Sequence, residues 1–174
     1  MKKILIVVDM QKDFVDGALG TAEAKKIVPK VCEKISNFDG EIIVTLDTHH
    51  DNYMNTSEGN LLPVEHCIKG TDGHALNNQV QKALEGKNYT TVEKPTFGSV
   101  ELPKIIEDLV SGEDFSLELL GLCTDICVVS NALLLKAHFP EFSITVDSSL
   151  CAGVTPDTHN SALTTMKMCQ INVI

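Results

Sequence analysis

The 174 residues are 43% hydrophobic, 22% charged and 5% aromatic, the make-up of one ordinary globular domain, which argues against disorder and fibrous repeats. A chain of this size buries roughly 70% of the surface it exposes unfolded, so a full core forms without disulfides or a structural metal. With 14 Lys and Arg against 24 Asp and Glu, the formal charge is −10, a field that repels nucleic-acid phosphates and anionic lipid.

No stretch approaches the ~18 apolar residues of a membrane span, and the first eight residues are too few for a signal-peptide core. The expected location is the cytoplasm, with neither nucleic acid nor membrane as partner. Cys32, Cys67, Cys123, Cys127, Cys151 and Cys169 are scattered through apolar segments. In a reducing compartment most of them read as buried thiols rather than bridges.

In chain order, Lys3 to Val8 (KILIVV) is a continuous apolar run, as a parallel strand covered on both faces requires. A polar loop from Asp9 to Thr21 leads into a helix from about Ala22 to Asn37, whose Ile27, Val31 and Ile35 recur every four residues. Phe38-Asp39-Gly40 stops it. Glu41 to Leu46 is a second strand, followed by an aperiodic stretch from Asp47 to about Asp72; a loop of that length inside a compact domain is usually functional. A helix near Gly73 to Glu85, a strand near Tyr89 to Val92, a helix near Ser99 to Val110 and a strand at Ser116 to Leu120 follow. Thr124 to about His138 is a helix, Phe142 to Val146 a strand, Thr155 to about Met168 a helix, and Ile171 to Ile174 a closing strand.

This alternation predicts a single α/β domain over residues 1–174, a three-layer Rossmann-like fold with a mostly parallel six-stranded sheet and helices on both faces. Ligands of such sheets sit beyond the carboxyl ends of the strands. Asp9, Asp47, Lys94 and the segment Leu122 to Cys127 all fall on that edge.

Cys127 lies in the first turn of a helix that Thr124 or Asp125 can cap, where unpaired backbone N–H groups and the helix dipole favour a thiolate. A carboxylate ending a buried strand, Asp9, can take the thiol proton, and the Lys94 ammonium can stabilise the anion. Together they read as an activated nucleophile with base and counter-charge.

The segments VDMQKDF (Val8 to Phe14), DTH (Asp47 to His49), PVEHCIKGT (Pro63 to Thr71), EKPTFGS (Glu93 to Ser99) and GLCTDICV (Gly121 to Val128) resemble the isochorismatase-like cysteine hydrolases. Members with a metal-ligand loop look like nicotinamidases and pyrazinamidases. The resemblance implies Asp9 as general base and acid, Lys94 as thiolate partner and Cys127 as nucleophile. It also implies a cis peptide between Leu122 and Cys123, which aims the backbone N–H of Cys123, with that of Cys127, at the developing oxyanion.

Asp47, His49 and His66 offer oxygen and imidazole ligands suited to Zn²⁺, with Mn²⁺ or Fe²⁺ as other choices. Glu58 is the better candidate for a fourth ligand and His50 the weaker. No dissociable organic cofactor is expected. His74, His138 and His159 lack partner patterns and read as structural. By resemblance Phe14 forms one wall of the substrate pocket.

The chain departs from its relatives opposite Phe14. Many nicotinamidases carry a Trp shortly before the metal-binding His, but this chain has none. Leu62 occupies the approximate place, and Phe97 or Tyr53 are candidate substitutes. The expected reaction is hydrolysis of nicotinamide to nicotinate and ammonia by a homodimer or larger homo-oligomer. The alternatives are another amidase or N-carbamoyl or ureido hydrolase, and a non-catalytic partner protein on the same scaffold.

Overall fold

A computed structural model describes all residues, Met1 to Ile174. Six strands, β1 (Lys2–Val8), β2 (Glu41–Asp47), β3 (Tyr89–Lys94), β4 (Phe115–Leu122), β5 (Ser143–Ala152) and β6 (Asn172–Val173), form one parallel sheet in the order β3-β2-β1-β4-β5-β6. The helices are α1 (Lys12–Val15), α2 (Ala22–Asn37), α3 (Ser57–Leu61), α4 (Asn78–Ala83), α5 (Leu102–Val110), α6 (Val129–His138) and α7 (Pro156–Met168). No helix is long and apolar enough to cross a membrane.

The chain starts in the middle of the sheet, builds outward through β2 and β3, and then returns to build the other way through β4, β5 and β6. Right-handed crossovers that reverse direction put their helices on opposite faces. Accordingly α2 packs with α4, and α6 packs with α5 and α7. The reversal falls between β1 and β4, so the crevice beyond their carboxyl ends is crossed by no connection. Ile4 to Val8 are sealed between the layers, which accounts for the unbroken apolar run at the start of the sequence. On the helix side Ile27, Val31 and Ile35 are buried, as their spacing predicts.

Several boundaries differ from the sequence reading. The helix expected from Gly73 contracts to α4, because the preceding backbone is engaged elsewhere: Lys12 N–H donates to Ala75 C=O, Asp13 N–H to Gly73 C=O, and Asn77 N–H to Met10 C=O. Those bonds also fold Lys12–Val15 into α1, within a stretch that reads as loop. The helix expected from Ser99 starts at Leu102, with Pro103 in its first turn. Strand β5 runs on to Ala152, since an irregularity between Leu119 and Gly121 re-registers β4 against Cys151 and Ala152. At the end of the chain, β6 shrinks to two residues.

Candidate active site

Asp9 follows β1 with φ of 47°, a left-handed turn that Asp tolerates better than most residues. Its N–H donates to Thr45 C=O at 3.2 Å, and its Oδ1 accepts from Thr45 Oγ1 at 2.6 Å. Its Oδ2 lies 2.7 Å from Lys94 Nζ. Lys94 ends β3, and the same Nζ is 3.4 Å from Cys127 Sγ and 3.4 Å from Asp47 Oδ1. Asp9, Lys94 and Cys127 are 0%, 1% and 3% exposed, so residues far apart in the sequence converge in one nearly sealed cluster.

Such a cluster is stable only if its charges balance. Burial of Lys94 favours loss of its proton, but Asp9, Cys127 and Asp47 more than reverse this and hold it above the ordinary lysine value. Asp9 is raised: burial outweighs the Lys94 charge, and Asp47 pushes the same way. Cys127 is raised well above a normal thiol, by burial first and then by the Asp9 charge and a hydrogen bond to Asp9, against the pull of Lys94.

Burial thus opposes the thiolate that the helix position favours, and the helix start itself differs from the expected one. The chain enters α6 through a wide turn over Thr124–Val128, in which Cys123 C=O accepts from Ile126 N–H and Val128 N–H and passes over Cys127. Neither expected cap acts as one. Thr124 Oγ1 bonds His159 Nδ1 at 2.8 Å, and the Asp125 carboxylate accepts from Val154 N–H. The Leu122–Cys123 peptide is cis.

The second group lies on the loop after β2. Asp47 Oδ2 is 2.9 Å from His49 Nε2 and 3.5 Å from His66 Nε2, while Glu58 Oε1 is 3.6 Å from both ring nitrogens. Despite its short distance to Asp47, the buried His49 Nε2 has no hydrogen-bond partner. One ligand atom each from Asp47, His49 and His66 lies within 4.8 Å of the other two. His66 Nδ1 bonds Val64 C=O at 2.8 Å, which sets Nδ1–H as donor and leaves Nε2 as a free lone pair. Two imidazoles with one or two carboxylates suit a divalent cation such as Zn²⁺, and the orphaned nitrogen fits that use. Burial alone would raise Asp47, but the adjacent His49 and His66 imidazoles and the Lys94 charge hold it well below the carboxylate range. His50 is exposed and outside the group.

Neighbouring residues lock these ligands in place. The Gln11 side chain clamps the Asp47 backbone, accepting from its N–H at 2.8 Å and donating to its C=O at 2.8 Å and to His74 C=O at 2.9 Å. Asp13 Oδ2 accepts from Cys67 N–H at 2.8 Å, beside His66. His49 N–H donates to Cys67 C=O at 3.0 Å and Lys69 N–H to His49 C=O at 2.8 Å, which pinches the loop shut at its neck. Gly59, whose added Cβ would lie 2.1 Å from Tyr53 C=O, lets α3 pack close and bring Glu58 in. Gln11 and Thr45 escape a sequence reading that looks for titratable ligands, and Asp13 escapes it because its partner is a backbone N–H far along the chain; Gln11 and Asp13 stand in the segment VDMQKDF.

Phe14 is buried, with its ring edge-on to His66 at 5.6 Å. Leu62 is 37% and Phe97 44% exposed. Tyr53 is fully buried behind His49 and His66, and its hydroxyl donates to Leu62 C=O at 2.9 Å; it is no substitute for the missing Trp. The remaining histidines have protein partners: His74 meets Thr48, His138 meets Glu107, and His159 meets Thr124. All six cysteines are free; Cys67, Cys127 and Cys151 are buried, while Cys169 is exposed, against the expectation for an apolar segment. Clefts of about 490 and 230 Å³ lie elsewhere, one at the amino edge of the sheet by Lys34 and Glu118 and one between α2 and α7. The chemical groupings mark the site.

The model of the isochorismatase domain family matches residues 3–174. The chain belongs to the isochorismatase family. Within it, the chain is similar to an isochorismatase family protein, PncA, of Bacillus subtilis, at 32% identity over 94% of this chain and 93% of that protein. Among solved structures, it resembles nicotinamidase/pyrazinamidase PncA from Bacillus subtilis, with a TM-score of 0.83, 28% identity and 99% of each chain covered. It is equally similar in shape to the pyrazinamidase of Pyrococcus horikoshii in complex with zinc, with a TM-score of 0.83, 27% identity, and 100% and 99% of the two chains covered. The isochorismatase-like α/β architecture read from the sequence is thus the observed one.

Proposed function

We propose that this isochorismatase-family hydrolase of non-peptide carbon–nitrogen bonds is a nicotinamidase, converting nicotinamide and water to nicotinate and ammonia. The observation that carries the reading is the sealed cluster of Asp9, Lys94 and Cys127, with 2.7 Å and 3.4 Å contacts to one ammonium. Ionised Asp9 takes the Cys127 proton as the sulfur attacks the carboxamide carbon, and Lys94 steadies the anion. The backbone N–H groups of Cys123 and Cys127 receive the oxyanion; the Cys123 carbonyl bonds, which skip the Cys127 amide, support this.

The C–N bond then breaks, and the departing nitrogen takes the proton from Asp9 to leave as ammonia. Asp9 next draws a proton from water, which attacks the thioester. The C–S bond breaks, nicotinate leaves and Cys127 regains its proton. Asp47, His49 and His66, with Glu58 as fourth ligand, would hold a divalent ion, Zn²⁺ by preference, whose chemistry is to anchor the pyridine nitrogen. Phe14 and Leu62 flank the ring. We further read residues 1–174 as one domain, in keeping with the family match from 3 to 174, and propose that it works in the cytoplasm as a homo-oligomer.

The deciding experiment measures ammonia release from nicotinamide, pyrazinamide, ureidoacrylate and carbamoylsarcosine. Nicotinamide is expected to turn over fastest. Turnover confined to the carbamoyl and ureido compounds would move the enzyme to the neighbouring amidase class, and turnover of nothing would favour a non-catalytic scaffold.

A further inference from the structure

Asn131 stands in α6 one helical turn beyond Cys127 and is fully buried. Asparagine is a poor helix former, and a buried amide persists only when its donors and acceptor are matched. Its partners lie on two different segments. Nδ2 donates to Cys127 C=O at 2.8 Å and to Phe97 C=O at 3.2 Å, and Oδ1 accepts from Ser99 N–H at 2.9 Å. Phe97 and Ser99 belong to the short loop that leaves β3 directly after Lys94. Gly98 lets that loop lie on the helix, since an added Cβ would meet Ser130 C=O oxygen at 3.3 Å. Thr96 Oγ1 donates to Gly98 C=O at 2.8 Å and holds the loop compact.

The segment after Lys94 and the segment after Cys127 are thus tied twice: by the ammonium and sulfur at 3.4 Å, and by one side-chain amide behind them. We infer that Asn131 is a positioning residue: its amide clamps the Lys94 loop onto the Cys127 turn and so fixes the register of ammonium and sulfur. This rests on the reading of Cys127 as the nucleophile. Misplacement of reacting groups by about 1 Å can cost about 10²-fold in rate, so the clamp is expected to act on chemistry more than on substrate affinity.

Asn131→Thr and Asn131→Asp test the clamp. The Thr hydroxyl can still donate to Cys127 C=O from the i−4 position but cannot span to the loop. The Asp carboxylate keeps the acceptor for Ser99 N–H and loses both donors. The readouts are alkylation of Cys127 by iodoacetamide, followed by peptide mass, together with kcat and KM for nicotinamide and the melting temperature. Both variants are expected to lower the Cys127 alkylation rate and kcat by about 10- to 100-fold, with KM little changed. Gly98→Ala, whose Cβ crowds Ser130 C=O at 3.3 Å, should shift both in the same direction by a smaller factor. Val31→Ala, a cavity in α2 remote from the site, should lower the melting temperature and leave both rates alone.

Wild-type alkylation and kcat in the two Asn131 variants would overturn the inference and leave Asn131 a core amide. Losses that merely track the unfolded fraction, or KM rising at constant kcat, would overturn it as well. A wild type whose Cys127 alkylates but which releases no ammonia from nicotinamide faults the substrate reading alone, and the alkylation comparison still decides the role of Asn131.

Discussion

The two halves of the site are built on opposite terms. In the thiol half, protein groups answer one another: the Asp9 carboxylate and the Cys127 sulfur both meet the Lys94 ammonium, at 2.7 and 3.4 Å, and all three side chains are buried. In the loop half, Asp47, His49, Glu58 and His66 converge on a point that none of them fills, and one ring nitrogen is left without a partner. The contrast sets a cluster of mutually contacting protein groups against a donor set suited to a divalent cation. Lys94 belongs to both halves, through its 3.4 Å contact with Asp47.

The sharpest way to break this division is Cys127→Ala. Turnover is expected to fall by about 10³-fold or more while the fold persists, and persistent ammonia release would remove the thiol from the mechanism. The next largest effect belongs to the loop half. Zn²⁺ at about 100 times its Kd should stabilise the wild type by about 2.7 kcal/mol. The melting temperature of His49→Ala and of His66→Ala should not respond. An equal response in all three proteins would place the bound ion elsewhere.

A smaller test concerns pH. Burial and Asp47 raise Asp9, so as pH falls it takes up its proton earlier than an ordinary aspartate with its value of 3.8. A base must be ionised to act; kcat/KM should therefore decline along an acid limb displaced above 3.8 and be abolished, rather than shifted, in Asp9→Asn. For stability the sign is the reverse of the usual carboxylate. The folded state prefers the protonated acid, so this group contributes most below 3.8 and loses that contribution as pH rises through its raised value. An acid limb at or below 3.8 would mean that the Lys94 charge outweighs burial at Asp9. The smallest expected effect comes from Leu62→Trp, which offers the ring a stacking wall worth roughly 0.5–1.5 kcal/mol. A lower KM for nicotinamide with little change in kcat would place Leu62 at the pocket; unchanged KM would exclude it.

Much of this architecture is legible in the sequence because parallel strands must be apolar on both faces and ligands of such sheets gather at one edge. Asp9, Asp47, Lys94 and Cys127 emerge from that rule before any distance is known. What escapes a linear reading is whatever depends on a partner in space. Gln11 is an unremarkable polar residue until its amide is seen clamping the Asp47 backbone. Asn131 looks like a weak spot in a helix, and the wide turn over Thr124–Val128 has no periodic signature. The thiolate expected at Cys127 is opposed for a related reason. A helix start favours the anion through its dipole, but the depth of burial and a neighbouring carboxylate weigh more, and neither is written locally. Tyr53 reads as a spare aromatic wall and instead supports both imidazoles from behind.

The pinched neck between His49 and Lys69, closed by Cys67 and pinned to Asp13, has a practical consequence. Both ends of the intervening stretch are fixed to the scaffold by backbone bonds, so lengthening its exposed turns adds little closure entropy. Its interior nevertheless carries Tyr53 behind the imidazoles and Glu58 at 3.6 Å from both ring nitrogens, so an insertion is expected to be tolerated only where it leaves those two side chains in place.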